Sequence, residues 1–233
     1  MSANSFIGGV RASLSTALGY ISIGLACGVV GASSGLSPIE MGLMSVIVYG
    51  GSAQFVMCAM LYAKAPISSI VMSVFLINLR HLLMSLQATT IFKGVGLKHG
   101  ILIGSLITDE SYGVLLNEYA HHQSISTSWM HGNNIASYVT WVLSVFLSSI
   151  VGQYIPSPEL FGLDFALVAM FVALFAAQLE ALMMIEKVKK VLLILLTVLV
   201  AYVLLTLFFS ESVAVLLATL SGCSVGVMYR DAK

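Results

Sequence analysis

Read from Met1, the chain alternates apolar runs of roughly twenty residues with short polar punctuation. The runs fall near residues 11–32, 39–63, 66–91, 99–119, 132–154, 161–183, 190–209 and 212–229. Each is close to the roughly 20 helical residues that cross a hydrocarbon core. Turn formers and charge separate them: Ser33-Ser34-Gly35-Leu36-Ser37-Pro38, Lys64-Ala65-Pro66, Lys93-Gly94, Pro156-Ser157-Pro158-Glu159, Glu186 to Lys190 and Ser210-Glu211-Ser212. The pattern predicts an all-α, polytopic transmembrane bundle of about eight spans. Loops of a few residues leave no room for a soluble domain, so residues 1–233 read as one integral membrane domain. Arg11 followed by an apolar stretch to Gly31 mimics a secretory leader, and Gly24-Leu25-Ala26-Cys27 mimics a lipoprotein cleavage site. Many equally apolar segments follow, however, and the first is long enough to span.

Composition agrees. Hydrophobic residues make up 59% of the chain and charged residues 9%, against about 25% charged in soluble domains. Ten Lys plus Arg cancel ten Asp plus Glu, so nothing draws the chain to nucleic acid, and its surrounding medium is the lipid bilayer. Cys27, Cys58 and Cys223 lie in apolar runs without metal-ligand spacing, and no cofactor is indicated. Basic residues then orient the chain. With eight spans and cytoplasmic termini, Arg11, Lys64, Lys187, Lys189, Lys190, Arg230 and Lys233 lie inside, against Lys93 and Lys98 outside. If the second segment only dips into the bilayer, the balance falls to six against three. Gly24 to Gly28 and Gly222 to Gly226 give the small-xxx-small spacing that lets helices approach closely. No internal similarity is evident along the chain.

Three segments carry polar or helix-breaking residues near their centres, where packing alone needs none. The second holds Tyr49-Gly50-Gly51-Ser52-Ala53-Gln54-Phe55. Paired glycines weaken helix at mid-depth, and backbone groups freed there must find partners or line a cavity. The third holds Asn78-Leu79-Arg80-His81, with Arg80 14 residues past Pro66, or about 21 Å of helix. A charge at that depth costs about 2.5–3.5 kcal/mol on insertion scales, so it faces the bundle interior and takes a partner. On a regular helix Asn78 and His81 share a face while Arg80 points about 100° away from His81, so either the helix distorts or these residues serve two neighbours. The fourth segment holds Thr108-Asp109-Glu110 about ten residues in. A continuous lipid-facing helix would not tolerate that pair, whereas a broken helix or re-entrant hairpin would. Arg80 is the obvious counter-ion. Neither HExxH, GxSG nor GxGD occurs, and no nucleophile sits with a base and orienter, so no catalytic residue is assigned.

These three stretches resemble, in order and spacing, the Y-[AG]-G-[AS]-[AS]-Q-F, N/D-x-R-H and L-x-T-D-E elements of the AzlC family of membrane proteins; Leu106-Ile107-Thr108-Asp109-Glu110 supplies the third. Asn78 stands where some relatives carry Asp. The resemblance implies export of branched-chain amino acids such as leucine, isoleucine and valine across the bacterial cytoplasmic membrane. It also implies a much smaller membrane partner, AzlD, and leaves room for a higher oligomer. No P-loop GxxxxGK[ST] occurs, so no ATPase is expected.

A zwitterionic substrate asks for donors near its carboxylate, an acceptor near its ammonium, and an apolar pocket. Arg80, or the N–H groups around Gly50, Gly51 and Ser52, suit the first; Asp109 or Glu110 suits the second. Tyr49, Gln54, Asn78 and Thr108 complete the transport-site candidates, Phe55, Met57 and Tyr112 are candidates to shape the pocket, and His81, Asp109 and Glu110 are the proton-coupling candidates. The competing reading is a channel, or a scaffold whose polar core only holds helices in register. The expectation that decides between them is convergence of the Gly-Gly break, the guanidinium and the acid pair at mid-membrane.

Overall fold

The computed structural model describes residues 4–122, 124–155, 186–209 and 211–229, with isolated positions between 168 and 183. Among the described residues there are ten helices and no strand: α1 Phe6–Ala12, α2 Leu14–Ser33, α3 Pro38–Ile47, α4 Gly51–Tyr62, α5 Ile67–Ile91, α6 Leu97–Ser105, α7 Asp109–His122, α8 Thr127–Gly152, α9 Val188–Leu205 and α10 Glu211–Met228. The fold is thus an all-helical polytopic membrane bundle, as the hydropathy predicts. Of these helices α2, α5, α8 and α9 are long and apolar enough to cross a bilayer. Contacts divide the chain into two compact units, Met1–Leu167 and Val168–Lys233.

In the first unit α8 is the post on which the other elements are hung. Helix α2 runs parallel to it. The Ser144 hydroxyl donates to the Ile21 carbonyl at 3.0 Å and Ser148 to the Gly24 carbonyl at 2.9 Å, and Val29 lies against Gly152, so both numberings rise together. Gly24 and Gly28 face Ser144 and Ser148, and a Cβ on Gly28 would collide with the Ser148 hydroxyl and the Val145 carbonyl. The small-xxx-small spacing is therefore a packing surface, with serine hydroxyls capping the opposed carbonyls. At the start of α8, α1 is stapled down in the same way: Gly9 abuts Trp129, Gly132 abuts Phe6, and Asn4 accepts from the Ser126 N–H at 2.6 Å.

Helices α3 and α4 form a hairpin. Ser37 and Glu40 close a capping box and Pro38 opens α3, the combination that starts a helix firmly. The helix stops at Val48, and α4 begins after Gly50. Cys58 Sγ then lies 3.9 Å from Met41 Sδ. Positions 41 and 58 flank the break at nearly equal distances, so the arms lie side by side. Against α8, Gly42 meets Phe146 while Val46, one turn deeper, takes a 3.0 Å hydrogen bond from Tyr138. The hairpin enters from the end where α8 finishes and returns there.

Helix α5 then crosses antiparallel to α8, its Ala88 joining a buried cluster with Trp129 and Met130 at the opposite end. Helices α6 and α7 form a second hairpin from that end. His99 and His131 share a 2.9 Å hydrogen bond, and one turn deeper Asn134 donates to the Ile103 carbonyl at 3.0 Å, so α6 runs parallel to α8. Asn133 donates to the Ser111 carbonyl at 3.0 Å, and Leu115 clusters with Trp129 and Met130, so α7 runs back. Segments 39–63 and 99–119 are therefore hairpins that turn at mid-depth. A count of eight crossings includes both, because hydropathy measures apolar length and a hairpin has as much of it as a span. The sixth predicted segment, 161–183, lies largely outside the described residues.

In the second unit, α9 and α10 pack antiparallel, with Gly222 against Val198 and Gly226 against Ile194. Lys190 Nζ pairs with Glu186 at 2.9 Å at the start of α9.

Gly28→Ala should destabilise the α2–α8 contact by about 1–3 kcal/mol, the usual cost of overpacking. Gly19→Ala, where nothing lies within 4 Å, should be neutral. Thermal unfolding of both variants in detergent, followed by monodispersity on gel filtration, reads the difference.

Candidate functional site

The two hairpin tips meet each other beside the middle of α5. Each tip is a three-residue break, Val48-Tyr49-Gly50 and Leu106-Ile107-Thr108, followed by the first turn of an outgoing helix. Both α4 and α7 therefore present helix N-termini at mid-depth, each carrying about half a positive charge and N–H groups without intrahelical acceptors.

Arg80 joins the tips. Its Nη2 donates to Ser52 Oγ in the first turn of α4 at 3.0 Å and pairs with Asp109 Oδ2 in the first turn of α7 at 2.9 Å. The Asp109 side chain is 9% exposed and that of Arg80 30%. His81 Nε2 stands 4.0 Å from the same Asp109 oxygen. Gly50 lies under α5: a Cβ there would stand 3.2 Å from both Asn78 Oδ1 and His81 Cε1. Helix α5 is continuous through this region, so Asn78 and His81 face Gly50 while Arg80 reaches Ser52 and Asp109. The residues serve two neighbours and the helix is not broken.

Glu110 is held separately. The Tyr20 hydroxyl donates to Glu110 Oε2 at 2.9 Å and lies 2.6 Å from Thr108 Oγ1. Since Tyr20 gives its one proton to the carboxylate, Thr108 donates to Tyr20. Thr108 also opens α7 in the manner of a capping box: its Oγ1 accepts from the Ser111 N–H at 3.3 Å, and Ser111 Oγ accepts from the Thr108 N–H at 3.0 Å. Asp109 and Glu110 occupy the first two helical positions, where the macrodipole favours anions.

The other predicted residues divide. Tyr49 packs its ring edge-on against Tyr138 at 4.9 Å and Tyr20 at 6.4 Å. Gly51 sits under the Trp141 ring, 3.0 Å from Cη2 to a Cβ at that position. Gln54 turns away from the ion pair: its Oε1 accepts from Trp141 Nε1 at 3.0 Å and from Cys27 at 3.8 Å. Tyr112 belongs to the buried cluster around Trp129 and Phe55 is buried in the core. Several buried polar atoms at the tips have no protein partner, namely Tyr49 Oη, Gln54 Nε2, Asn78 Oδ1 and Arg80 Nε. Buried polar groups are ordinarily satisfied; away from the tips, Tyr112 Oη, Asn133 Oδ1, Asn134 Oδ1 and Ser137 Oγ lack a partner as well. No group of three or more metal-ligating side chains occurs among the described residues.

Tyr20, Ser111, Asn133, Asn134, Tyr138 and Trp141 were not anticipated from sequence. Asn133-Asn134 two turns into an apolar helix is the one signal that could have been read; Tyr20 stands in an apolar run with none.

Comparison with known proteins decides the family. The AzlC protein family model matches residues 15–155, which contain both hairpins and α8. The chain belongs to the AzlC family. Among its relatives, an uncharacterized membrane protein of Helicobacter pylori (strain J99) is 30% identical over 71% of this chain and 72% of its own length. The Escherichia coli inner membrane protein YgaZ is 28% identical over 76% and 74%. The Bacillus subtilis branched-chain amino acid transport protein AzlC is 29% identical over 69% and 62%. No solved structure matches. The three motifs of this AzlC-family chain are the two hairpin tips and the stretch of α5 that bridges them.

Arg80→Ala should cost about 3–5 kcal/mol if the Asp109 carboxylate is left buried and unpaired, toward the lower end because Arg80 is partly exposed. Adding Asp109→Ala should recover part of that loss, with a coupling of about 1–3 kcal/mol. Unfolding of the single and double variants in mixed micelles gives the cycle; additive losses would show that the pair does not act as a unit.

Proposed function

We propose that the protein exports branched-chain amino acids across the bacterial cytoplasmic membrane as the large subunit of a two-component secondary transporter, with a small AzlD-like membrane subunit as its partner and protons as the coupling ion. The observation that supports this reading is the meeting of two half-helix N-termini, one guanidinium and two carboxylates at the middle of an apolar bundle. A scaffold needs none of these, and each is costly in lipid.

The geometry narrows the division of labour. Arg80 and Asp109 already engage each other, so the donors left for a substrate carboxylate are the first-turn N–H groups of α4 at Gly51 and Ser52, where no acid competes. Glu110 and the unpartnered Asn78 Oδ1 are the acceptors suited to the ammonium. Apolar side chains along the hairpin arms would take the branched substituent. His81, Asp109 and Glu110 lie on the groups that must change partners when substrate enters, the position a coupling proton needs.

The test is leucine handling in cells lacking endogenous exporters. Co-expression with the small subunit should lower intracellular leucine and raise resistance to a toxic leucine analogue. Glu110→Gln and Arg80→Ala should reduce efflux at least about tenfold, the loss of one charge-assisted contact, while the protein still reaches the membrane. Unchanged leucine with both subunits inserted would overturn the reading, and loss of the assembled protein in both variants would favour the scaffold.

A further inference from the structure

The two hairpins have a relation that no motif records. Helix α2 ends at Ser33 and α5 at Ile91, 58 residues on; α3 ends at Ile47 and α6 at Ser105, again 58; α4 begins at Gly51 and α7 at Asp109, again 58. Both turns that lead from a crossing helix into its hairpin contain a glycine in the left-handed region, Gly35 at φ 85 and Gly94 at φ 76. Both breaks are three residues long. Helix α2 runs parallel to α8 and α5 antiparallel, so the second copy of the crossing-helix-plus-hairpin unit is upside down relative to the first.

The contacts obey the same relation. Tyr20 lies at the position of Asn78, Gly50 at that of Thr108, and Ser52 at that of Glu110. Tyr20, from the first copy, touches Thr108 and Glu110 at the tip of the second. Asn78, from the second copy, lies against Gly50 at the tip of the first, and Arg80 beside it binds Ser52. Each tip is thus bound by the crossing helix of the opposite copy, and the second tip is also tied to its own crossing helix through Arg80 and Asp109.

We infer that residues 14–62 and 67–122 are an inverted structural repeat whose two hairpins are the two gates of one path, α3–α4 facing one side of the membrane and α6–α7 the other. The gating half rests on the transport reading above; the repeat does not. Tyr20 latches the α6–α7 gate through Thr108 and Glu110, and the Arg80–Ser52 hydrogen bond latches the α3–α4 gate. Because these two bonds are separate, release of one leaves the other tip held, which is the requirement for alternating access. Orientation follows from charge. Arg11, Lys93 and Lys98 fall at the end where α6–α7 enters and Lys64 alone falls at the other end of this unit, so α6–α7 faces the cytoplasm; the hairpins thereby reverse the sides that eight straight spans gave to Lys64, Lys93 and Lys98.

Two measurements test this. In a background where the exposed Cys223 is replaced by Ala and the buried Cys27 and Cys58 are kept, Ser33→Cys and Ala63→Cys should both react with an impermeant maleimide from the periplasmic face. Lys93→Cys and Ser124→Cys should both react only in inverted vesicles. Alternation of the four positions between faces, the pattern of straight spans, would overturn the repeat whatever the protein transports. For the gates, Tyr20→Phe should speed amide exchange of the purified protein at residues 105–111 by about tenfold, the value of one hydrogen bond to a charged group, and leave residues 47–53 unchanged. Ser52→Ala, which removes the acceptor of Arg80 and leaves the Arg80–Asp109 pair in place, should do the reverse. Equal loosening of both tips by either variant, or of neither, would overturn the gating assignment. Paired loop labelling and tip-specific exchange in a protein that moves no leucine would leave the repeat and latches standing while the transport reading fell.

Discussion

A backbone that leaves the helix halfway across a bilayer frees N–H and C=O groups that lipid cannot satisfy, and the layout of residues 4–155 follows from where those groups find partners. Tyr138 takes the Val46 carbonyl, Ser85 the Gly104 carbonyl at 3.0 Å and Asn134 the Ile103 carbonyl. Two of these three donors stand on α8, which also holds α7 through Asn133 and the Ser111 carbonyl, so a helix without any of the family's motifs is the element on which the fold is built. The freed N–H groups are treated differently. On α7 the Thr108–Ser111 exchange and two acids occupy that end; at the start of α4 stand the Ser52 hydroxyl, turned to Arg80, and Asn78 and His81 against Gly50. The two breaks thus share a backbone form and differ in the side chains set beside their N–H groups.

That asymmetry matters because the two tips are otherwise alike. A bare Gly-Gly turn faces an acid-bearing turn, with a guanidinium between them and two tyrosines and a tryptophan walling one side. The same backbone geometry is met from opposite directions at the two tips.

Much of the site was legible in the sequence because lipid is intolerant: Arg80 and Asp109 needed each other at mid-depth, and Gly50-Gly51 weakened helix there, while the partner of Glu110, Tyr20, was not legible. The all-helical bundle was legible for the same reason. The folding-back of segments 39–63 and 99–119 was harder to read, since the arms of a hairpin together are as long and apolar as a span, and only a contact such as Cys58 with Met41 tells them apart. Tyr20, Tyr138 and Trp141 escaped because aromatic residues in apolar runs are ordinary core and carry no signature. The inverted relation left no trace in residue identity: Tyr20 corresponds to Asn78 and Gly51 to Asp109, so what repeats is chain path, not side-chain type.

The dependence of both hairpins on α8 bears on how the chain is made. Helices α3 and α4 leave the ribosome well before Tyr138 and Trp141 are synthesised, so their break has no partner for its carbonyls while α5, α6 and α7 emerge. Short arms with an unsatisfied turn are poor candidates for lateral release into lipid as they appear. The α3–α4 hairpin is therefore complete only once α8 has been made and Tyr138 has docked on the Val46 carbonyl.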